Sequence, residues 1–183
     1  TIDAGIGAGV ESMSMWGFDA PVNLKNMSES IVDNAEARDC MIPMGITSEN
    51  VAAKFGVSRE KQDALAAASH QKAAQAQKTG LFKSEIVCVK NAQGKPIDQD
   101  EGIRGSTKAE GLAKLKPAFK VGGSTTAGNS SQTTDGAAAT FLARRSFAKE
   151  NGLTIEGRLV SVAVKGCPPA IMGTIFFLDA RFI

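Results

Sequence analysis

The segment 122–136 (GGSTTAGNSSQTTDG) has the side chains best suited to hold a ligand. Almost every residue in it is Gly, Ser, Thr, Asn or Gln, so it offers many hydrogen-bond donors and acceptors and lets a ligand approach the backbone. Such a wall suits a ligand with amide and hydroxyl groups better than a bare metal ion or a flat apolar molecule. On composition alone, a flexible surface loop is an equally good interpretation.

The other side chains that could do chemistry form weaker patterns. His70 is the only histidine. No nucleophile close to it in sequence could use it as a base, so we expect a solvated histidine on a helix face. Three cysteines are widely spaced, without a C-x-x-C pair: Cys40, Cys88 and Cys167. This spacing argues against a disulfide framework or a zinc site and fits a reducing compartment.

Two further patterns imitate ligand sites without completing them. Gly5, Gly7 and Gly9 begin a dinucleotide-binding fingerprint. Val10 then stands where G-x-G-x-x-G needs glycine, so close backbone packing in a central strand is the better interpretation. The acidic residues between 98 and 101 lack the glycine and the distal glutamate of a calcium loop. The sequence therefore predicts neither a nicotinamide-type cofactor nor a metal.

Strands and helices that alternate along the chain indicate an α/β architecture that must position these side chains. Strands are predicted at 2–14, 84–90, 137–143 and 158–166, of which the first and third are expected to be buried, and helices are predicted at 29–37, 47–56, 58–80, 107–117 and 144–151. Thr47 and Ser58 are the expected N-caps of the second and third helices. Thr107 and Glu110 have the spacing of a capping box. The Ala-rich helix after Ser58 is interpreted as packed scaffold.

Composition and charge argue against several classes of function. The 183 residues are 43% apolar and 22% charged, which suits one domain or pieces of two and excludes a disordered tail. The 21 basic and 19 acidic residues are spread without a block, so we expect no nucleic-acid partner. The apolar runs 159–164 and 175–178 are far shorter than the roughly 20 residues that span a membrane, so no membrane partner is expected. The chain begins with Thr1 and shows no signal peptide, and we expect it to begin inside a longer protein.

Several long blocks, in family order, resemble the thiolase family, and within it the peroxisomal 3-ketoacyl-CoA branch. They are AGVESMS (8–14), the stretch 37–77 that begins ARDCMIPMG, DEGIRGSTKAEGLAKLKPAFK (100–120), GGSTTAGNSSQTTDGAAA (122–139) and GCPPAIMG (166–173). Together they cover nearly everything from residue 1 to 173. The resemblance implies an α/β, thiolase-like fold that is partial. It would comprise the end of the N-terminal half with its inserted helical loop domain, and the first strand of the C-terminal half.

The same resemblance divides the chain into five parts. Residues 1–14 would be a strand of the N-terminal half, and residues 15–121 the loop domain that covers coenzyme A (CoA). Residues 122–157 would hold the CoA loop and the last strand and helix of that half, and residues 158–173 would start the C-terminal half. Residues 174–183 (TIFFLDARFI) form a divergent tail.

The function that the resemblance implies is an acyltransferase of fatty-acid β-oxidation, an acetyl-CoA C-acyltransferase. Such an enzyme cleaves a 3-ketoacyl-CoA with free CoA into acetyl-CoA and a shortened acyl-CoA. CoA and acyl-CoA would be substrates, no other cofactor is expected, and the family implies a homodimer in the peroxisome.

The motifs that carry the family's catalytic groups are C-x-S-G, N-E-A-F, G-H-P and C-x-G, and none occurs in residues 1–183. We therefore assign no catalytic residue and expect the chain to be inactive alone. The alternative is a non-catalytic CoA-binding or subunit-interaction protein.

Three CoA-binding residues follow from the resemblance alone. Met44, in MGIT, resembles the residue that lines the pantetheine and acyl tunnel. Arg104, in DEGIR, resembles a position near the nucleotide end of CoA. Ser131, in AGNSSQ, resembles the serine that bonds a pantetheine amide. These assignments are chemically sensible, because a guanidinium suits phosphate or adenine and a hydroxyl suits an amide.

Overall fold

The computed structural model describes residues 2–15 and 26–174, and the chain divides into two compact units. One unit comprises Thr1–Ser28 and Thr133–Gly166, and the other comprises Glu29–Gln132 and Cys167–Ile183. The divergent tail assigned to 174–183 lies outside the described residues apart from Thr174.

The first unit is built on an antiparallel pair of strands. β1 (Ala4–Glu11) pairs with β4 (Gly136–Ala143), from Ala4 opposite Ala143 to Glu11 opposite Gly136. The strands predicted at 2–14 and 137–143 are thus confirmed. Helix α6 (Arg145–Glu150) follows β4, and Gly152 lies just beyond it with φ +64°.

The burial expected for these strands is wrong. Ile6 and Phe141, which are cross-strand partners, are 71% and 53% exposed. A Cβ on Gly7 or Gly9 would meet no atom of the described chain within 4 Å, so the expected close backbone packing is also wrong. The physical reason is that two strands form one layer, and a face is buried only when a second layer covers it.

The strand predicted at 158–166 is not formed. This stretch has an alternating apolar pattern, but it pairs with neither of the two sheets of the described residues. Alternation of apolar side chains makes a strand possible, and a ladder also needs a neighbour to receive its backbone hydrogen bonds. Val160 and Val164 are consequently exposed.

The second unit contains the helices that matter for the site. The predicted helix at 29–37 is two short helices, α1 (Glu29–Asp33) and α2 (Ala35–Asp39). α3 (Met44–Phe55) ends at Gly56 with φ +63°, the left-handed conformation that favours glycine. α4 (Arg59–Lys78) begins after Ser58, whose Oγ accepts the Lys61 N–H at 3.4 Å. The N-cap predicted at Ser58 is confirmed.

Two other predicted caps are wrong. Thr47 lies inside α3, because the helix already begins after Pro43, and its Oγ1 donates to the Met44 carbonyl at 2.8 Å. α5 (Ala109–Leu112) begins after Lys108 and has no side-chain cap, so the capping box of Thr107 and Glu110 is not formed. Thr47 is three residues past the start of its helix and Thr107 is one residue before the N-cap, so neither side chain caps the first free N–H groups.

Two small elements complete this unit. β2 (Val89–Lys90) and β3 (Pro96–Ile97) form a hairpin, so the strand predicted at 84–90 is reduced to its last two residues. A 3-10 helix (Pro169–Thr174) packs on α3, where Asn50 Nδ2 donates to the Ala170 carbonyl at 3.0 Å. No helix in the described ranges has the length and apolar character needed to cross a membrane.

Candidate functional site

A cavity of about 710 Å³ lies in the second unit between α3, α4, α5 and residues 127–132, which belong to the polar segment 122–132. One part of its wall is apolar and comes from the helices: Val51, Ala52, Leu65, Ala66, Leu112 and Leu115. The other part is polar and includes Gln62, Ser69, His70, Arg104, Thr107 and every residue from 129 to 132. A volume of several hundred Å³ with mixed lining is typical of sites for small molecules and cofactors.

Two of the three residues assigned by resemblance meet at this cavity. Arg104 and Ser131 both line it and both are exposed to solvent. The Ser131 hydroxyl donates to the Gln132 carbonyl at 3.1 Å. Met44 is the first residue of α3, and it does not line the cavity. The structure therefore brings Arg104 and Ser131 together and leaves Met44 apart.

His70 also belongs to the cavity wall, and sequence reasoning missed it. The imidazole is half-buried, and its Nδ1 accepts the backbone N–H of Arg104 at 3.2 Å. The expected solvated histidine on a helix face is therefore wrong. An accepting Nδ1 carries no proton, so neutral His70 holds its proton on Nε2. His70 fixes the backbone from which the Arg104 guanidinium extends.

The carboxylate of Glu49 anchors the start of the polar segment. It is buried on α3 and accepts hydrogen bonds from the Ser124 N–H at 2.9 Å and the Thr125 N–H at 2.7 Å. The Ser124 hydroxyl donates to it as well, at 3.1 Å. Burial raises the pKa of Glu49, but these backbone and hydroxyl donors outweigh burial and hold the pKa below its ordinary value. Glu49 is thus an ionised anchor.

Arg59 and Asp63 anchor the rest of the segment from α4. Arg59 Nε donates to Asp63 Oδ2 at 2.7 Å, and Arg59 Nη2 donates to the carbonyls of Leu112 and Leu115 at 2.7 and 3.1 Å. Asp63 Oδ1 accepts from Asn129 Nδ2 at 2.9 Å. One ion pair therefore connects α4 to α5 and to the polar segment.

Gly128 lets the polar segment approach α5. A Cβ at this position would lie 2.5 Å from Leu115 Cδ1 and 2.6 Å from Leu112 Cδ2. Both distances are shorter than van der Waals contact, so a larger residue would require the Leu112 and Leu115 side chains or the segment itself to shift. The glycine in AGNSSQ serves close packing.

The cavity offers no thiol and no obvious metal ligands. Its lining includes none of the three cysteines, and the described part of the chain contains no group of three His, Cys, Asp or Glu residues that could hold a metal ion. Its chemistry is that of hydroxyl, amide, imidazole and guanidinium groups beside an apolar wall. Such groups bind and orient a ligand that carries amides and anionic oxygens.

One sequence signal could have found this arrangement. Steps of three and four residues along α4 place Arg59, Gln62, Asp63, Ala66, Ser69 and His70 on the same face of the helix. Four or more polar side chains on one face of an otherwise Ala-rich helix predict a polar partner. That partner is the polar segment 122–132, where Ser124 Oγ accepts a hydrogen bond from Gln62 Nε2 at 2.9 Å.

Comparison with known proteins identifies the class to which this fold and site belong. The family model described as the thiolase N-terminal domain matches residues 1–146, and the chain belongs to the thiolase family. It is 58% identical over 179 residues to 3-ketoacyl-CoA thiolase B, peroxisomal, of Rattus norvegicus. That alignment covers 93% of this chain and 42% of the relative, so the chain spans about two fifths of the relative's length.

Solved structures agree with this assignment of the fold. The dimeric peroxisomal thiolase of Saccharomyces cerevisiae matches 98% of this chain with a TM-score of 0.84 and 45% identity, over 47% of its own chain. Human mitochondrial 3-ketoacyl-CoA thiolase, solved in complex with CoA, matches 93% of this chain with a TM-score of 0.75 and 32% identity, over 45% of its own chain. The partial thiolase-like α/β fold expected from the resemblance is confirmed.

Proposed function

We propose that this chain is the CoA-holding part of a 3-ketoacyl-CoA thiolase, an acetyl-CoA C-acyltransferase of fatty-acid β-oxidation. The observation that carries the proposal is the cavity at which Arg104 and Ser131 meet. CoA joins an anionic nucleotide to a pantetheine arm with two amides, and the cavity lining offers a guanidinium, hydroxyls and an apolar wall for these parts. The relative solved with CoA supports the choice of ligand.

Within this proposal each residue has a role. The Arg104 guanidinium binds the phosphates or stacks on the adenine, and the Ser131 hydroxyl bonds a pantetheine amide. The apolar residues of α3, α4 and α5 cover the methylene groups of pantetheine. Contact between Met44 and CoA stays a prediction from the resemblance, as does the division of the chain at residues 14, 121, 157 and 173.

The whole protein would cleave 3-ketoacyl-CoA by thiolysis, with CoA as a substrate and no further cofactor. We propose a homodimer in the peroxisome, on the basis of the dimeric peroxisomal thiolase of yeast and the peroxisomal relative of rat. The family's C-x-S-G motif, which carries its nucleophilic cysteine, would lie outside residues 1–183.

Calorimetric titration of the 183-residue chain with CoA tests the binding role. We expect saturable binding that Arg104→Ala and Ser131→Ala each weaken about fivefold to tenfold, the loss typical of one hydrogen-bonding group. Matched controls are Arg38→Ala and Ser84→Ala, which change the same residue types outside the cavity lining. Equal affinity in all four variants would contradict the site.

A second candidate is a CoA-binding protein without catalysis, favoured by the absence of any cysteine from the cavity lining. Incubation of the chain with acetoacetyl-CoA and CoA tests whether residues 1–183 catalyse thiolysis by themselves. For the chain by itself we expect CoA binding without thiolysis. Turnover above a heat-inactivated sample would show that residues 1–183 carry a reaction centre, and would overturn this part of the proposal.

A further inference from the structure

We propose that Asp63 is a positioning residue for the cavity wall: its buried carboxylate, acting through Asn129, fixes the turn that carries Ser130 and Ser131. The inference rests on the proposed function, because it deepens the account of how the chain would bind CoA. Asp63 does not line the cavity, whereas Asn129, Ser130 and Ser131 do. Asp63 therefore acts through another residue.

Both oxygens of the Asp63 carboxylate are occupied. The residue is 2% exposed, Oδ2 accepts from Arg59 Nε at 2.7 Å, and Oδ1 accepts from Asn129 Nδ2 at 2.9 Å. A buried carboxylate whose two oxygens each face a donor holds both donors in place, because any shift leaves a charge without compensation. Arg59 fixes the carboxylate, and the carboxylate fixes Asn129.

The Asn129 side chain in turn closes the loop on itself. Its Oδ1 accepts the Thr126 N–H at 2.7 Å, and its Nδ2 donates to the Ser124 carbonyl at 3.0 Å as well as to Asp63. Ser130 Oγ then donates to the carbonyl of Thr126 at 2.7 Å, and Thr126 is fully buried. The Asn129 amide thus joins the backbone of Ser124 and Thr126 to Asp63 of α4.

This arrangement predicts the effect of replacing one oxygen of the Asp63 carboxylate. Asparagine at position 63 has an NH2 group in place of one accepting oxygen, so one of the donors, Arg59 Nε or Asn129 Nδ2, then faces another donor. The segment 124–132 contains no helix and no strand that would otherwise hold its shape. We expect Ser131 to lose its fixed position while the helices remain formed.

The test compares Asp63→Asn with Ala67→Gly in the 183-residue chain. Ala67 is buried on α4 one turn further along and does not line the cavity, so its replacement loosens the helix without removing a side-chain hydrogen bond to the polar segment. Amide hydrogen exchange of 124–132 and calorimetric CoA affinity are measured on both variants. Asp63→Asn is expected to speed exchange in 124–132 on the order of tenfold and to weaken CoA binding by a similar factor. Ala67→Gly is expected to do neither selectively.

A double-mutant cycle with Asn129→Ala shows whether the effect passes through Asn129. If it does, the double variant binds CoA about as weakly as Asn129→Ala alone, and additive losses would refute the path. Exchange in 124–132 that rises no more in Asp63→Asn than in Ala67→Gly would overturn the positioning role. Failure of the unmodified chain to bind CoA would overturn the proposed function instead, and the exchange comparison would still decide the role of Asp63.

Discussion

The cavity wall and the β1–β4 pair are both built from small residues, and they are held by different interactions. Around the cavity, buried Glu49 accepts several hydrogen bonds from the polar segment, and buried Asp63 accepts one from Asn129 of that segment and one from Arg59. In the strand pair the backbone ladder carries the structure, and side chains such as Ile6 and Phe141 face solvent. Side-chain identity therefore specifies the first region, while backbone pairing specifies the second.

Among the changes that test this comparison, Glu49→Ala is expected to have the largest effect on the free energy of unfolding. Removal of the carboxylate leaves the N–H groups of Ser124 and Thr125 without their acceptor in a buried place. We expect a loss of about 2–3 kcal/mol in the free energy of unfolding, measured by urea denaturation with circular dichroism. Glu85→Ala, which removes an exposed carboxylate of the same unit, is the control. An equal urea midpoint for the two variants would show that Glu49 does not anchor the wall.

A smaller effect is expected when one methyl group is added to each region. In Gly128→Ala the new Cβ would lie 2.5 Å from Leu115 Cδ1 and 2.6 Å from Leu112 Cδ2, so we expect a loss of about 1–2 kcal/mol in stability by urea denaturation. In Gly7→Ala the Cβ meets no described atom within 4 Å, and alanine restricts the unfolded chain, so we expect no loss. If Gly7→Ala lost as much stability as Gly128→Ala, the proposed difference between the two regions would be contradicted.

The same contrast explains how much the sequence revealed. Periodicity and cap residues predicted β1, β4 and α4, because these depend on local patterns such as Ser58 before the Ala-rich helix. The stretch 158–166 has the pattern of a strand and forms none, because pairing depends on a neighbour that the local pattern does not contain. The resemblance to thiolases predicted that Arg104 and Ser131 contact the same ligand. His70 was missed, because its partner is the backbone N–H of Arg104, 34 residues away, and sequence spacing carries no information on that contact.

A still smaller change in CoA affinity is expected from His70. His70→Phe keeps an aromatic ring and removes the Nδ1 that accepts the Arg104 N–H, so we expect CoA affinity to fall about threefold to fivefold by calorimetry. His70→Asn, whose side-chain oxygen can accept a hydrogen bond, is expected to retain more of the affinity. A larger loss in His70→Asn than in His70→Phe would indicate that the ring itself, and not the acceptor, supports Arg104.

The smallest expected effect is that of acid, which acts on two carboxylates with lowered pKa values, one in each region. In Asp135 the Ser14 hydroxyl and N–H, at 2.6 and 2.8 Å, lower the pKa below its ordinary value of 3.8. In Glu49 burial raises the pKa, but the donors from Ser124 and Thr125 outweigh burial and hold the pKa below its ordinary value of 4.5. A lowered pKa stabilises the folded state at pH values above the ordinary one, and this contribution is lost as the pH falls through the folded value.

Acid titration followed by NMR should therefore distinguish the two regions by the amide signals that shift. Protonation of Asp135 is expected to shift the amide signals of residues 12–14 alone, because the β1–β4 ladder does not depend on that carboxylate. Protonation of Glu49 is expected to shift the signals of 124–129 together and to lower the urea midpoint, since this carboxylate joins α3 to the polar segment. Glu49→Gln should flatten the decline of stability below about pH 4.5, and Asp135→Asn should remove only the part of the decline that its own exposed carboxylate causes. A decline that persists unchanged in Glu49→Gln would mean that acid acts on the cavity wall through another group.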